Sequence, residues 1–597
     1  MENIKKIKKR DEIDSNYKWN IEKVYVDINE WEKDFQLLKS KAPKLKEFSG
    51  KLHDASKLLE FLKIQEEVLR LLDKLFVYAH LRSDEDTGNT TFQSLKNKID
   101  GYWAEVMSFK AFFEPEILSF EEGVIEKEIN EILELKMYDF YLKNILKMKE
   151  HTLDKEKEEL LAAVSDCLNA PSNIRQVFAN ADITFPTIKD ENKNEVELSE
   201  GNYVNFLRSK DRNVRKSAFE NLFNTYYKYK NTFATALTSS MKNCIFTAKT
   251  RKFTSALESS LKPNNISLEV YDNAVDTINR HLDSLHRYVK IKKKMLGLDD
   301  IHMYDLYVPV IDTPKDHIEF KTAVEIAKEG LKPLGEEYLN IFTNGINNGW
   351  VDVFQNKGKR SGAYSWGCYD TMPYVLLNYN YELDDVSTLA HEMGHSIHSY
   401  YSRKTQPYIY SEYELFCAEV ASITNECLLI KDLIDKEKDH NKRLYLINQQ
   451  LEGIRATVFR QIMFAEFEKV THEMLEKGNA LTSEDLCKIW HDLNVKYFGE
   501  EMVVDKEIDM EWARIPHFFS DFYVYQYATG YAAANSFSSM ILDNGEEAVE
   551  KYKGFLKSGG SNYPIEILKN AGVDMTTAKP LEDTIKRFDE LLDMLEG

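Results

Sequence analysis

Residues 391–395, His-Glu-Met-Gly-His, give the clearest indication of catalytic chemistry in this chain. On a helix, histidines at positions i and i+4 lie on one face, where two imidazoles can fill two corners of a tetrahedral zinc site. The glutamate between them, Glu392, is then placed to act as a general base on water at the metal. The spacing therefore predicts a hydrolytic zinc centre with His391 and His395 as ligands.

The third ligand must come from another segment, and spacing alone leaves it open. A metzincin would have glycine at 398 and histidine at 401, but His398 and Tyr401 stand there, which excludes that class. Downstream, Glu412, Glu419 and Glu426 recur every seven residues and would share one face of a helix. Glu419 is the central choice and Glu426 the next, while a neighbouring glutamate could accept the second N–H of a histidine.

The motif lies in a stretch with the periodicity of an amphipathic helix. Asp384 or Asp385 can cap its start by accepting hydrogen bonds from unpaired backbone N–H groups. Gly394 permits another backbone to approach closely. Before this helix, residues 359–364 read as a loop and residues 373–379 as a β-rich run. That run is either an edge strand that pairs with an extended peptide or a buried structural strand.

A second group of polar aromatic residues lies near the C-terminus. Residues 514–517, Arg-Ile-Pro-His, precede four tyrosines within residues 523–531. His517 and these phenols could donate hydrogen bonds to an oxyanion, the charge that develops during peptide hydrolysis. Spacing alone favours the alternative, in which these rings pack in a core.

Composition favours long helices and excludes some partners. The 597 residues include 24 glycines and 13 prolines, about 4% and 2% of the chain against roughly 7% and 5% in typical proteins. A net charge of −21 argues against binding to nucleic acid or to an anionic membrane. No apolar run approaches the roughly 18 residues of a membrane span, and no signal peptide is expected. The six cysteines form no Cys-x-x-Cys pair and are expected to be reduced and mostly buried, which predicts a cytoplasmic protein.

Helical periodicity is interrupted at residues 183–202, where two short extended runs around a polar centre predict a hairpin. We place a division near residue 200, which gives an N-terminal helical lobe (1–200) and a catalytic domain (201–597). The pattern makes no prediction of oligomeric state.

Several segments together resemble a known family. AHEMGHSIHS, FCAEVASITNE and RIPHFFSDFYVYQYATGY, preceded by KRSGAYSWG and KWNIEKVYVDINEWEKD, resemble oligoendopeptidase F of the thimet-oligopeptidase-like zinc peptidases. The resemblance covers nearly the whole chain, in order. It implies one zinc ion held by His391, His395 and Glu419, with Glu392 as the general base.

The resemblance also implies a fold and further site residues. The fold would be mainly α, with two helical lobes around a deep substrate channel and a small β element beside the zinc helix. His517, Tyr523 and Tyr531 match the residues that contact substrate and stabilise the tetrahedral intermediate, although spacing near His517 departs from the family pattern by a couple of residues.

The expected activity is hydrolysis of internal bonds in short peptides. One alternative is a zinc carboxypeptidase, in which Arg514 would bind the terminal carboxylate of the substrate, although a structural ion pair is the favoured alternative for this arginine. Another is a peptide-binding scaffold without catalysis, which the intact Glu392 and the complete ligand set disfavour.

Overall fold

The computed structural model describes residues 6–312 and 316–597, and its architecture is mainly α, as predicted. Up to residue 312 the helices are α1 (Ile28–Lys41), α2 (Ala55–Glu85), α3 (Thr90–Lys110), α4 (Phe113–Leu118), α5 (Val124–Glu131), α6 (Asp139–Lys147), α7 (Lys155–Val177), α8 (Glu200–Leu207), α9 (Arg212–Lys228), α10 (Lys230–Thr250), α11 (Ala256–Leu261), α12 (Leu268–Arg280) and α13 (Leu282–Met295). After residue 316 they are α14 (Phe320–Gly330), α15 (Gly335–Asn347), α16 (Leu383–Thr405), α17 (Leu415–Lys436), α18 (His440–Ile454), α19 (Arg460–Glu476), α20 (Ser483–Phe498), α21 (Tyr525–Asn544), α22 (Glu546–Ser558), α23 (Pro564–Asn570) and α24 (Lys579–Glu596).

The chain divides into two compact units, each assembled from three stretches of sequence. The first comprises the described residues of Met1–Thr152, Lys315–Leu433 and Phe537–Val573. The second comprises those of Leu153–Pro314, Ile434–Ser536 and Asp574–Gly597. These units do not follow a single cut in the sequence, and the predicted division into residues 1–200 and 201–597 stays a prediction.

The strands are short and form three small sheets. β1 (Thr187–Lys189) pairs antiparallel with β2 (Glu195–Glu197), which confirms the hairpin predicted within residues 183–202. β3 (Ile301–His302) pairs parallel with β7 (Met502–Val503), a long-range pairing that the sequence did not predict. The third sheet has the order β4 (Val351–Asp352), β6 (Tyr374–Leu376), β5 (Tyr364–Trp366) and lies beside α16. It is the small β element expected next to the zinc helix.

The first unit has one large apolar core that reaches this sheet. Its buried members include Trp31 of α1 and Leu72 of α2, and the same cluster extends to Tyr374 and Leu376 of β6. Tyr374 further donates its hydroxyl to the backbone carbonyl of Asn20 at 3.0 Å. Packing of β6 against the N-terminal helices therefore fixes the sheet on which α16 rests.

None of the helices within residues 6–312 and 316–597 combines the length and the apolar composition needed to cross a membrane. The six cysteines are free thiols, of which Cys368, Cys417 and Cys427 are buried. Cys167 is exposed, so the expectation of mostly buried cysteines holds for only half of them.

Candidate metal centre and aromatic segment

The residue that caps the start of α16 is neither of the two predicted. The N-cap residue is Glu382, which precedes the expected caps Asp384 and Asp385 by two and three residues. Asp385 contributes as the partner in a capping box: its Oδ2 accepts the backbone N–H of Glu382 at 2.9 Å and that of Asn380 at 2.8 Å. Asp385 thus pairs the N-cap N–H and a backbone N–H before it, which fixes the point where the helix begins.

Close contact with α17 fixes the other side of α16. A methyl group on Gly394 would lie 2.6 Å from Cα of Ser422, so glycine is required there, as predicted. One turn earlier, the side-chain amide of Asn425 donates to the carbonyl of Ala390 at 2.9 Å. Tyr338 of α15 donates its hydroxyl to the amide oxygen of the same Asn425 at 2.9 Å. These contacts fix the two helices at the level of the motif.

Three possible ligand atoms converge between α16 and α17. Nε2 of His391 lies 3.2 Å from Nε2 of His395, and Oε2 of Glu419 lies 3.5 Å and 3.6 Å from these two nitrogens. Zinc–ligand bonds of about 2.0–2.2 Å in tetrahedral geometry separate neighbouring ligand atoms by roughly 3.4 Å. The three spacings therefore fit one zinc ion, and the donor set of two imidazoles and one carboxylate suits it.

The other two glutamates of the predicted series lie elsewhere. Oε1 of Glu426 is 3.2 Å from Nδ1 of His391, on the opposite edge of that ring from the converging atoms. It is placed to accept the second N–H of the imidazole and so to orient Nε2. Glu412 precedes the start of α17 at Leu415, so it does not share the helix face as predicted, and it pairs with Arg403 at 3.0 Å.

The carboxylates shape the charge of this cluster. Burial of His391 opposes its protonation, but the hydrogen bond to Glu426 and the charges of Glu392 and Glu419 raise its pKa to about 9. Burial alone would raise the pKa of Glu419, yet His395 and His391 hold that pKa below its usual value. The site therefore stabilises positive charge, as a cation site must.

Glu392 is not one of the three converging ligand residues, although it follows His391 directly in the sequence. It is 7% exposed, and burial raises its pKa above the usual value despite the neighbouring imidazoles. A carboxylate with a raised pKa accepts a proton more readily at neutral pH, which is what a general base requires.

His398, the third histidine of α16, does not join this group. Its ring is 1% exposed and stacks on Tyr413 at 3.7 Å with an interplanar angle of 3°. Burial lowers its pKa to about 3, so the ring is neutral. It is a packing residue of α16.

The sheet beside α16 decides between the two readings of residues 373–379. β6 pairs with β4 on one side and with β5 on the other, and all three of its residues are buried. The run is therefore a central structural strand, and the edge-strand alternative for it is wrong. β5 stands at the edge of the sheet order, half-buried, and Oγ of its Ser365 lies 2.8 Å from Oγ of Ser396 on α16.

The aromatic segment belongs to the second compact unit and has a different local structure. His517 lies in a 3₁₀ turn (Pro516–Phe519) and is exposed, while Tyr523 is half-buried. Their ring centroids are 6.3 Å apart and nearly parallel. Tyr527 completes a group of three rings, 5.2 Å from Tyr523 and 6.0 Å from His517. Tyr527 was in the predicted cluster but was not singled out, because only the three-dimensional grouping marks it.

The remaining residues of the segment are differently placed. Tyr531 lies on α21 and is 8% exposed. Although the side chain of His517 reaches solvent, partial desolvation and the charge of Arg175 lower its pKa. Arg514, the candidate carboxylate reader, forms an ion pair with Glu200 at 2.5 Å, which confirms the structural alternative for this residue.

Known proteins match this chain over most of its length. Residues 205–587 match the family described as Peptidase family M3, and residues 116–185 match the one described as Oligopeptidase F. The chain is 48% identical to oligopeptidase PepF of Bacillus subtilis (strain 168), over 98% of this chain and 88% of that protein. It is 39% identical to group B oligopeptidase PepB of Streptococcus agalactiae, over 98% of each.

The fold is similar to a solved structure as well. The crystal structure of oligoendopeptidase-F from Enterococcus faecium superposes with a TM-score of 0.75 at 39% identity, over 95% of this chain and 98% of that chain. PZ peptidase A shares the fold at 17% identity, with a TM-score of 0.69 over 98% and 99% of the two chains.

Proposed function

Because this chain belongs to peptidase family M3 and is therefore a metallopeptidase, we propose that it is a zinc-dependent oligoendopeptidase that cleaves internal bonds of short peptides. The observation that carries the proposal is the convergence of His391, His395 and Glu419 at 3.2–3.6 Å. Glu392 lies between the two histidines on α16. Relatives named oligopeptidase and oligoendopeptidase support the substrate class.

The proposed ligands are His391, His395 and Glu419. Zinc held by them would supply Lewis acidity, which polarises a peptide carbonyl and lowers the pKa of water. Glu426 orients His391 through Nδ1, and Ser422 lies 3.4 Å from Oε2 of Glu419. Such supporting contacts keep the ligand atoms in place before an ion arrives.

Glu392 is proposed as the general base. Its carboxylate takes a proton from the attacking water and passes a proton to the leaving amine, so that one residue serves both halves of the reaction. Burial supports this role because a raised pKa brings the carboxyl closer to neutral pH, where both transfers must occur.

His517, Tyr523 and Tyr531 are proposed to act on the substrate. The imidazole and phenol groups would donate hydrogen bonds to the peptide and to the oxyanion of the tetrahedral intermediate. The grouping of His517 and Tyr523 with parallel rings supports a shared role for these two.

We propose that the substrate peptide pairs with the edge strand β5 and not with β6. An extended peptide can add to the edge of a sheet through main-chain hydrogen bonds, and β5 stands at the edge beside α16. A sheet edge binds backbone atoms, so it accepts many sequences. We place the reaction in the cytoplasm, where six free cysteines would stay reduced.

The test is hydrolysis of an internally quenched peptide of about ten residues, with products identified by mass spectrometry. Wild type and Glu392→Gln are compared, and zinc is assayed in both. We expect internal cleavage by wild type and a loss of about 10²–10⁴-fold in the variant with zinc retained. Trimming of single C-terminal residues would replace the endopeptidase by a carboxypeptidase, and near-normal turnover by the variant would refute the mechanism.

A further inference from the structure

A second group of possible ligands lies in the other compact unit. Cys244 of α10, His472 of α19 and Asp521, just before α21, bring one ligand atom each to within 4.8 Å of one another. We propose that these three residues bind a second divalent cation, and that zinc fits best because thiolate, imidazole and carboxylate groups are all ligands that zinc takes in proteins.

The orientation of His472 supports this site. Nδ1 lies 2.8 Å from the backbone carbonyl of Glu468, which can only accept, so Nδ1 carries the hydrogen. In the neutral ring, Nε2 then holds a lone pair. The side chain is 1% exposed, and Nε2 is buried without a hydrogen-bond partner. A buried acceptor without a partner costs free energy unless something else satisfies it.

A second buried acceptor lies close to this nitrogen. Oδ1 of Asp521 is also buried without a hydrogen-bond partner, and it lies 3.8 Å from Nε2 of His472. That separation is too long for a hydrogen bond. It is close to the roughly 3.4–3.6 Å that separates two ligand atoms of one tetrahedral zinc ion. A cation between the two lone pairs would satisfy both.

The backbone that presents Asp521 is held in an unfavourable conformation. Phe522 has φ 56°, in the left-handed region that bulky side chains rarely adopt. Its N–H donates to Oε1 of Glu468 at 3.1 Å, and the carbonyl of Asp521 accepts from Oγ of Ser260 at 3.1 Å. Glu468 thus anchors both His472 and the Asp521 segment. Strain that the surroundings maintain is typical of functional positions.

A nucleophilic role for the cysteine is a poorer match to the same residues. Burial, the charge of Asp521 and a hydrogen bond from the thiol to that carboxylate raise the pKa of Cys244, whereas a reactive cysteine needs a lowered pKa. Binding of a cation would release the thiol proton to solvent and form the thiolate only when the ion is present.

A cavity beside His472 offers an approach to the cluster for an ion. A cavity of about 160 Å³ is lined in part by His472, Phe522, Glu473 and Glu476. The acidic side chains at this cavity favour approach of a cation. Three protein ligands leave the fourth position of a tetrahedral ion for water from the cavity. Since Asp521 is two residues before Tyr523, an ion here would also position the aromatic segment.

The experiment measures metal content and cobalt spectra of the full-length protein. Wild type, Cys244→Ser, Asp521→Asn and His391→Ala are compared, with Cys167→Ser as the control for loss of a thiol that lies outside the cluster. We expect two zinc ions per chain in wild type and in the control, and one in each of the other three variants. Because the cluster on α16 and α17 has no sulfur ligand, cobalt should give a thiolate charge-transfer band in His391→Ala but not in Cys244→Ser.

The outcomes separate this proposal from the catalytic one. A single ion per wild-type chain that His391→Ala removes, with no thiolate band, would overturn the second site and leave the first intact. Two ions that persist in both Cys244→Ser and Asp521→Asn would also overturn it. Loss of metal in Cys244→Ser with a thiolate band retained in His391→Ala supports it whether or not peptide cleavage is observed.

Discussion

The cluster on α16 and α17 and the aromatic segment around Tyr523 are built in contrasting ways. The first rests on two regular helices held together at Gly394 and Asn425, with Glu426 against His391 and Ser422 against Glu419. The second rests on a 3₁₀ turn, a strained Phe522 and the stacking of rings. Helical placement makes the first group rigid and readable from spacing, whereas the second depends on a local backbone path that no simple periodicity describes.

The largest expected effect comes from removing the carboxylate ligand. Glu419→Gln keeps the shape of the side chain but loses its charge beside His391 and His395. Without that charge the site binds zinc weakly, and we expect loss of nearly all activity together with one equivalent of zinc. Metal analysis after dialysis and peptide hydrolysis measure the two effects.

The matched control is Glu412→Gln, which makes the same change in the glutamate that pairs with Arg403. It should retain metal and activity within about twofold, because an ion pair with an exposed glutamate contributes little. Equal losses in both variants would mean that the loss of a carboxylate charge, and not the loss of a zinc ligand at Glu419, causes the effect.

Removal of one phenolic hydroxyl tests the aromatic segment around Tyr523. Tyr523→Phe should lower kcat by about 10²–10³-fold if the hydroxyl donates to the oxyanion, with zinc content unchanged. Tyr229→Phe, which alters an exposed tyrosine of the same unit, is the control. A normal kcat in Tyr523→Phe would make the stacked rings a packing feature only, the reading that spacing alone favoured.

The contrast explains what the sequence could and could not predict. Histidines at i and i+4 beside apolar positions predicted α16, and few glycines and prolines predicted a helical fold, because both depend on local periodicity. The seven-residue spacing of Glu419 and Glu426 placed both on one helix face, but only their distances to the two edges of His391 distinguish ligand from orienting partner.

Contacts between residues far apart in the sequence could not be predicted from it. β6 is central because β4, more than twenty residues earlier, pairs parallel with it, and residues 373–379 contain no sign of that partner. Cys244, His472 and Asp521 are widely separated in sequence, so no spacing rule could join them. The helix is capped by Glu382 and not by an aspartate, because Asp385 occupies the third position of the helix and accepts the backbone N–H of Glu382.

Loss of the orienting carboxylate should have an intermediate effect. Glu426→Gln keeps an acceptor near Nδ1 of His391 but removes the charge, so zinc affinity should fall by about 10–100-fold. Competition with a graded chelator measures this affinity. An affinity equal to that of wild type would show that Glu426 is a solvated neighbour and does not orient the ligand.

Helix contact at the motif can be tested by stability. Gly394→Ala places a methyl group 2.6 Å from Cα of Ser422, and we expect a cost of about 1–3 kcal/mol in the free energy of unfolding. Gly453→Ala is the control, since Gly453 of α18 has no neighbour within 4 Å of the added methyl. There the better helix propensity of alanine should stabilise by up to about 1 kcal/mol. Opposite signs in urea denaturation would confirm that α17 limits the space at position 394.

The smallest effect concerns His398 and is visible only in its pH dependence. Its folded pKa of about 3 lies below the ordinary value of roughly 6.5, so the unfolded chain binds a proton that the folded chain does not. The contribution is therefore fully present above about pH 6.5 and is lost as pH falls, by about 1.4 kcal/mol between pH 7.5 and 5.5.

The variant His398→Phe retains an aromatic ring against Tyr413. It should abolish this part of the pH dependence of the free energy of unfolding while zinc content at neutral pH stays unchanged. Urea denaturation of metal-free wild type and variant at both pH values measures the contribution of His398. Parallel slopes would show that His398 titrates normally, whereas loss of zinc in the variant would show that this third histidine contributes to the metal centre.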